Sequence, residues 1–226
     1  MLYIVPTPIG NLKDITLRAL EVLQSVDGII CEDTRHACIL LNHYAIKKPL
    51  LVLNDFNESK NLPQILDKLK EGQNLALISD AGTPLISDPG YKLVRECLQE
   101  NLEVDSIPGP TASITALTLS GLPPDKFLFL GYLPEKSGNR KKLLENLSAI
   151  HNIINTTFII YIAPHKLLRT LNDLKEIIGD KEVVLAKELT KIHQKVSKKV
   201  VSEFLNEFQK SKPKGEYILL FNLKAY

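Results

Sequence analysis

Ser79-Asp80-Ala81-Gly82-Thr83-Pro84-Leu85-Ile86-Ser87-Asp88-Pro89-Gly90 follows directly on the apolar run Leu75-Ala76-Leu77-Ile78. Four consecutive apolar residues bounded by turn formers read as a short buried strand. Two prolines and two glycines then interrupt regular structure, and a helical pattern resumes from Tyr91 to Gln99. A stiff Gly/Pro turn leaving the C-terminal end of a strand is where open α/β sheets hold ligands. Gly82 admits a close approach to the backbone, while Pro84 and Pro89 fix φ. An ordinary connecting turn has the same composition, so this loop alone decides little. Two further segments repeat its design. Pro6-Thr7-Pro8-Ile9-Gly10-Asn11-Leu12 follows a strand over residues 2–5, and Pro108-Gly109-Pro110-Thr111-Ala112-Ser113 follows a strand over residues 104–107. Three such loops behind strands of one alternating βα domain predict a shared cleft.

Between them lie strands over residues 28–31 and 50–53 and helices marked by Leu17, Leu20 and Leu23, by Leu40 and Leu41, and over residues 62–70. Asp14 or Thr16 is placed to cap the first helix. The strand at Gly28-Ile29-Ile30-Cys31 ends in Glu32-Asp33-Thr34-Arg35-His36. A helix cap accounts for Asp33 or Thr34, but not for Glu32 and Arg35 together.

Gly121-Leu122-Pro123-Pro124-Asp125 breaks the pattern, which predicts a first domain over 1–122 and a smaller second α/β domain over 123–226. Strands are expected there at 127–130, 158–162, 183–186 and 217–223, with helices marked by Leu167, Leu171 and Leu174 and over residues 200–208. Residues 1–122 hold 10 Lys+Arg against 15 Asp+Glu, and residues 123–226 hold 18 against 11. A basic second half points to a polyanionic partner. Arg140, Lys141 and Lys142, expected on a mobile stretch, are the candidates to grip it. Lys195, Lys198 and Lys199 read as the wet face of a helix.

Hydrophobic residues at 44% and charged residues at 24% describe a soluble globular chain. No apolar run has the length of a membrane span, and no secretory leader is apparent. Three unpaired cysteines speak against a disulfide framework and fit a reducing cytoplasm. A GxGxxG fingerprint after the first strand, a P-loop and metal-ligand spacings such as HExxH are all missing, so dinucleotide, P-loop and metal chemistry are not supported.

The segments PTPIGNLKDITLRALEVL, EDTRHACILL, SDAGTPLISDPG, IPGPTASITALTLSGLP, FLFLGYLP and KELTK occur in this order. Together they make the chain similar, from residue 2 to about 221, to the ribosomal RNA small-subunit methyltransferase I family of the tetrapyrrole methylase superfamily. The resemblance implies two α/β domains with S-adenosylmethionine in the cleft between them, a cytoplasmic homodimer, and methylation of a cytidine ribose 2′-hydroxyl in the decoding region of 16S rRNA in the small ribosomal subunit. No metal is implied. It places the cofactor against Pro8, Gly10, Ser79, Asp80, Ala81, Gly82, Thr83, Leu85, Ile86, Thr111 and Ala112. Glu32, Asp33, Arg35 and Asp14 become the catalytic candidates, with base and positioning group left unranked. Lys187 and Glu188 of the KELTK segment join Arg140, Lys141 and Lys142 as substrate contacts.

Three features depart from the family pattern. The expected C-terminal extension is missing, Tyr161-Ile162-Ala163-Pro164-His165-Lys166 lacks a usual carboxylate and guanidinium, and Gln194-Lys195 replaces an acidic pair. Two competing readings are a methylase of a small tetrapyrrole and a non-catalytic RNA-associated relative. The missing GxGxGD in the first loop and the basic second half weigh against the former.

Overall fold

The computed structural model describes residues 1–54 and 56–224 and divides into two compact units, Met1–Thr111 and Ala112–Tyr226. In the first unit, β1 (Leu2–Ile4) leads through a 3-10 turn (Leu12–Asp14) to α1 (Leu17–Ser25). Next come β2 (Gly28–Cys31), α2 (Thr34–His43), β3 (Leu50–Val52), α3 (Glu58–Lys70), β4 (Leu75–Leu77), α4 (Tyr91–Gln99) and β5 (Val104–Ser106). Thr16, not Asp14, caps α1 by accepting the Ala19 N–H at 3.1 Å.

The strands pair in parallel in the order β3-β2-β4-β1-β5. Parallel strands covered on both faces are apolar throughout. Ile29 of β2 faces a core shared with Ala19 and Leu23 of α1 and Leu41 of α2, whereas the adjacent Ile30 joins Ile65 and Leu69 of α3 and Leu93 of α4 on the other face. Both isoleucines are fully buried, each stabilising the unit by roughly 1.5–3 kcal/mol. The four loops that follow β2, β4, β1 and β5 therefore leave neighbouring strands at the same edge of the sheet.

The second unit begins with α5 (Ala112–Ser120), which packs on the sheet of its own unit, so the division falls ahead of the expected break at Gly121. It is also the longer of the two, not the smaller. β6 (Phe127–Tyr132), α6 (Ser137–Ile153), β7 (Thr157–Ile162), α7 (Pro164–Ile178), β8 (Glu182–Lys187), β9 (Lys195–Val200), α8 (Val201–Lys210) and β10 (Tyr217–Asn222) follow. The order is β6-β7-β10-β8-β9, with only β6 and β7 parallel. Leu144, Leu147, Leu171, Leu174, Phe158 and Phe221 occupy the centre of its core.

Two expectations change here. Lys195, Lys198 and Lys199 lie on the edge strand β9, not on a helix face: the whole of Lys195–Val200 pairs antiparallel with β8. Arg140 is not on a mobile surface: it is 4% exposed inside α6. Its Nε donates to Asp173 Oδ2 at 2.6 Å, and one Nη donates to the carbonyls of Pro134 and Glu135 at 3.0 and 2.9 Å. Lys141 beside it donates to Glu176 at 2.6 and 2.7 Å. Only Lys142 of the three is exposed and free of an ion pair among the described residues.

Removing one partner of a buried ion pair strands the other charge in a poor solvent. Arg140→Ala is expected to lower unfolding free energy by about 3–5 kcal/mol in urea titration. An Arg140→Met/Asp173→Leu double variant should recover most of that loss.

Candidate functional site

The three Gly/Pro loops are physically joined. Thr7 and Gly82 exchange backbone hydrogen bonds, with Thr7 N–H donating at 2.8 Å and Gly82 N–H at 3.1 Å. The Thr7 hydroxyl donates to the Ser79 carbonyl at 3.1 Å, and the Ser79 hydroxyl to the Gly82 carbonyl at 3.3 Å. Thr83 Oγ1 donates to the Pro110 carbonyl at 2.9 Å, tying the second loop to the third. The third loop closes on the first at Gly109, where a Cβ would come within 2.7 Å of Pro6 Cβ. Gly82 has φ +84° and would set a Cβ 3.1 Å from Ile9 Cγ2. Leu85 and Ser87 also hold positive φ, +71° and +67°, at roughly 1–2 kcal/mol each for a non-glycine residue. Such strain persists only where the surroundings over-determine the backbone. Pro8 and Gly82 are buried in this clasp; Asp80, Ala81, Ile86 and Gly10 face outward, and Thr83, Leu85 and Thr111 are half-buried. Ala112 opens α5 and belongs to the second unit.

Ionisable groups gather beside the clasp. Asp33 caps α2 by accepting the Arg35 N–H at 2.8 Å, and its carboxylate also accepts the Arg35 guanidinium at 2.5–3.0 Å. Chiefly through those side-chain bonds, its pKa falls to about 2. His36 Nδ1 lies 2.7 Å from Asp80 Oδ2, and that hydrogen bond raises the imidazole pKa above its ordinary value. Asp88 is pushed up to about 6, first by burial, against a stabilising bond from Ser79 and with the charges of Glu32 and Asp80 adding to the rise. Glu32 is half-buried at the end of β2. Burial likewise lifts the Cys31 thiol to about 11, leaving it inert. Asp14 Oδ2 is enclosed and has no hydrogen-bond partner among the described residues.

In the second unit, Lys187 Nζ sits 5.8 Å above the Tyr217 ring. Glu188, at φ +49°, accepts the Glu216 N–H at 2.9 Å and Lys191 Nζ at 3.2 Å. A Cβ on Gly215 would strike that carboxyl at 2.7 Å, so the glycine makes room for the seat. No cluster able to hold a metal ion occurs among the described residues.

Residues 1–205 match the family model of Tetrapyrrole (Corrin/Porphyrin) Methylases. The ribosomal RNA small subunit methyltransferase I of Thermotoga maritima is 50% identical over 99% of this chain and 98% of its own length. That of Escherichia coli O157:H7 is 49% identical over 97% of this chain and 76% of its length. The chain belongs to the ribosomal RNA small subunit methyltransferase I family of tetrapyrrole methylases. The fold is similar to that of diphthine synthase, with a TM-score of 0.76 at 13% identity over 98% of this chain and 88% of that one. A cobalt precorrin-4 methyltransferase of cobalamin biosynthesis has a TM-score of 0.68 at 18% identity over 97% and 93%. Family members of both lengths thus contain this core, so the expected extension is not common to all of them.

Sequence reading of this methylase missed the His36–Asp80 pair and Asp88. Both carried a signal, the last residue of EDTRH and the second aspartate of SDAGTPLISDPG, but pairing across 44 residues is invisible along the chain.

Asp88 and His36 both hold protons more tightly in the folded state, so each makes stability fall as pH rises. For Asp88 the fall runs from pH 3.8 to about 6; for His36 it lies above 6.5. Asp88→Asn is expected to flatten the lower window, by on the order of 1–3 kcal/mol in denaturation at pH 4 against pH 6, and to leave the upper one intact. Gly82→Val should destabilise the first unit by roughly 1–3 kcal/mol, read as a lower thermal midpoint, since it opposes φ +84° and displaces Ile9.

Proposed function

We propose that this protein transfers a methyl group from S-adenosylmethionine to the ribose 2′-hydroxyl of a cytidine in the decoding region of 16S rRNA. The observation that carries the reading is the rigid clasp of three strand-end loops. It occurs in a chain about half identical, along nearly all of its length, to relatives named for ribosomal RNA methylation. The clasp suits the cofactor. Gly82 at φ +84° holds a tight turn in which a Cβ would crowd Ile9 at 3.1 Å, exposed Asp80 and Ala81 offer backbone groups, and enclosed Asp14 Oδ2 is an acceptor with no partner among the described residues. Pro8, Gly10, Ser79 to Thr83, Leu85, Ile86, Thr111 and Ala112 are the residues we assign to holding it.

When bound, the sulfonium supplies a methyl carbon already activated for displacement. The protein's tasks are alignment and removal of a proton from a neutral hydroxyl. Asp33, at about 2, is too weak a base for that and instead fixes Arg35. We assign the proton to His36. Its Nδ1 is held by Asp80, its ring is 58% exposed, and its other nitrogen is left to accept. Asp80, with Asp33 beyond it, would stabilise the imidazolium that forms.

Incubation with methyl-labelled S-adenosylmethionine and undermethylated 30S subunits is expected to place label on ribose. Label on an added porphyrinogen precursor, or on neither, overturns the reading. His36→Gln should lower kcat by roughly 100-fold with unchanged affinity for S-adenosylmethionine by calorimetry. In the unsubstituted protein kcat should climb with pH to a plateau above 6.5 as the imidazole loses its proton.

A further inference from the structure

We propose that a lysine-rimmed hollow on the second unit, which takes in Lys187 of the KELTK segment, seats the phosphodiester backbone of an RNA strand. The inference deepens the function proposed above and takes its occupant from it. The hollow lies between the C-terminal end of α8, the 211–214 connection and the strands β8, β9 and β10, with a volume of about 190 Å³. That is below the roughly 300–1,000 Å³ of pockets enclosing whole cofactors, and suits a short run of sugar and phosphate.

Charge decides the class of ligand. Lys187, Lys195, Lys212 and Lys214 line the hollow, against one carboxylate, Glu207. Glu207 is already engaged by Lys199 at 2.6 Å and Lys195 at 3.7 Å. Burial keeps the Tyr217 phenol protonated, so the floor adds no negative charge. Lys187, Lys212 and Lys214 enter no ion pair among the described residues. Several cations elsewhere in the unit are held by neighbours, Arg140 by Asp173, Lys141 by Glu176, Lys166 by Glu135 and Lys198 by Glu182. In the hollow Lys187, Lys212 and Lys214 converge on one concave surface. The hollow therefore keeps a positive surplus that no ion pair among the described residues discharges.

The floor excludes base reading. Phe204, Phe208 and Tyr217 are at most 9% exposed, stacked or edge-on against one another. No ring face is open to a base, whereas a dry apolar floor beneath lysines strengthens their attraction for phosphate. Ser197 on β9 adds a hydroxyl. The expected contact is thus with backbone and indifferent to sequence.

The test is retention of a labelled 16S rRNA fragment spanning the decoding region, on filters, from 50 to 200 mM salt. Lys212 and Lys214 are exposed, so Lys212→Gln/Lys214→Gln should fold normally. It should reduce the slope of log K against log salt by about 1.4, from roughly 0.7 for each phosphate lost on a single strand. Affinity for S-adenosylmethionine should not change. Ser197→Glu, which puts a carboxylate inside the hollow, should weaken retention further at equal thermal midpoint. An unchanged slope in the double variant overturns the inference, as does preferential retention of acidic vesicles or polyglutamate over RNA. Failure of the function itself looks different: the unsubstituted protein would then bind RNA with the full slope and transfer no methyl group to it. Absence of any RNA binding by the unsubstituted protein overturns both.

Discussion

Everything in the first unit turns on two backbone hydrogen bonds between Thr7 and Gly82. They act between loops, beyond the last paired residues of β1 and β4, and so extend the sheet by one antiparallel step where parallel pairing has ended. The Thr7 hydroxyl, 2% exposed with its residue, closes the gap to Ser79. A buried polar cluster of this kind is stabilising because every member finds a partner. The positive φ values at Leu85 and Ser87 are tolerable only on such a base.

That arrangement explains why charges can gather beside it. Glu32, Asp33, Asp80 and Asp88 lie at the ends of β2 and β4, which are neighbours in the sheet. Like charges so placed would repel one another into solvent if their loops could move. Instead one is neutralised by Arg35, another is shared with His36, and a third keeps its proton to about pH 6. Three carboxylates close in the fold are thereby settled in three different ways.

Much of the first unit was legible in the chain. Strands buried on both faces appear as unbroken apolar runs such as Gly28-Ile29-Ile30-Cys31 and Leu75-Ala76-Leu77-Ile78, each followed by a polar residue. The second unit was read less well for physical reasons. Lys195-Val196-Ser197-Lys198-Lys199-Val200 buries little and so shows hardly any apolar signal, although it is a full strand. Ser137 and Gly138 suggest a turn yet open a 17-residue helix. Arg140 is buried only because Asp173 comes from the following helix to meet it, and a partner 33 positions away leaves no local trace. Of the candidate site, the loops were recognisable from composition, while the His36–Asp80 pair depended on strand order.

β9 has one further consequence. It is the outer strand of its sheet, and an unguarded outer strand is a template on which a second chain can grow. Its three lysines make that accretion unfavourable, because an identical strand arriving alongside would bring matching ammonium groups against them. Anchored by Glu182 and Glu207, that row of long polar side chains thus guards a concentrated solution of the protein against fibrous clumping.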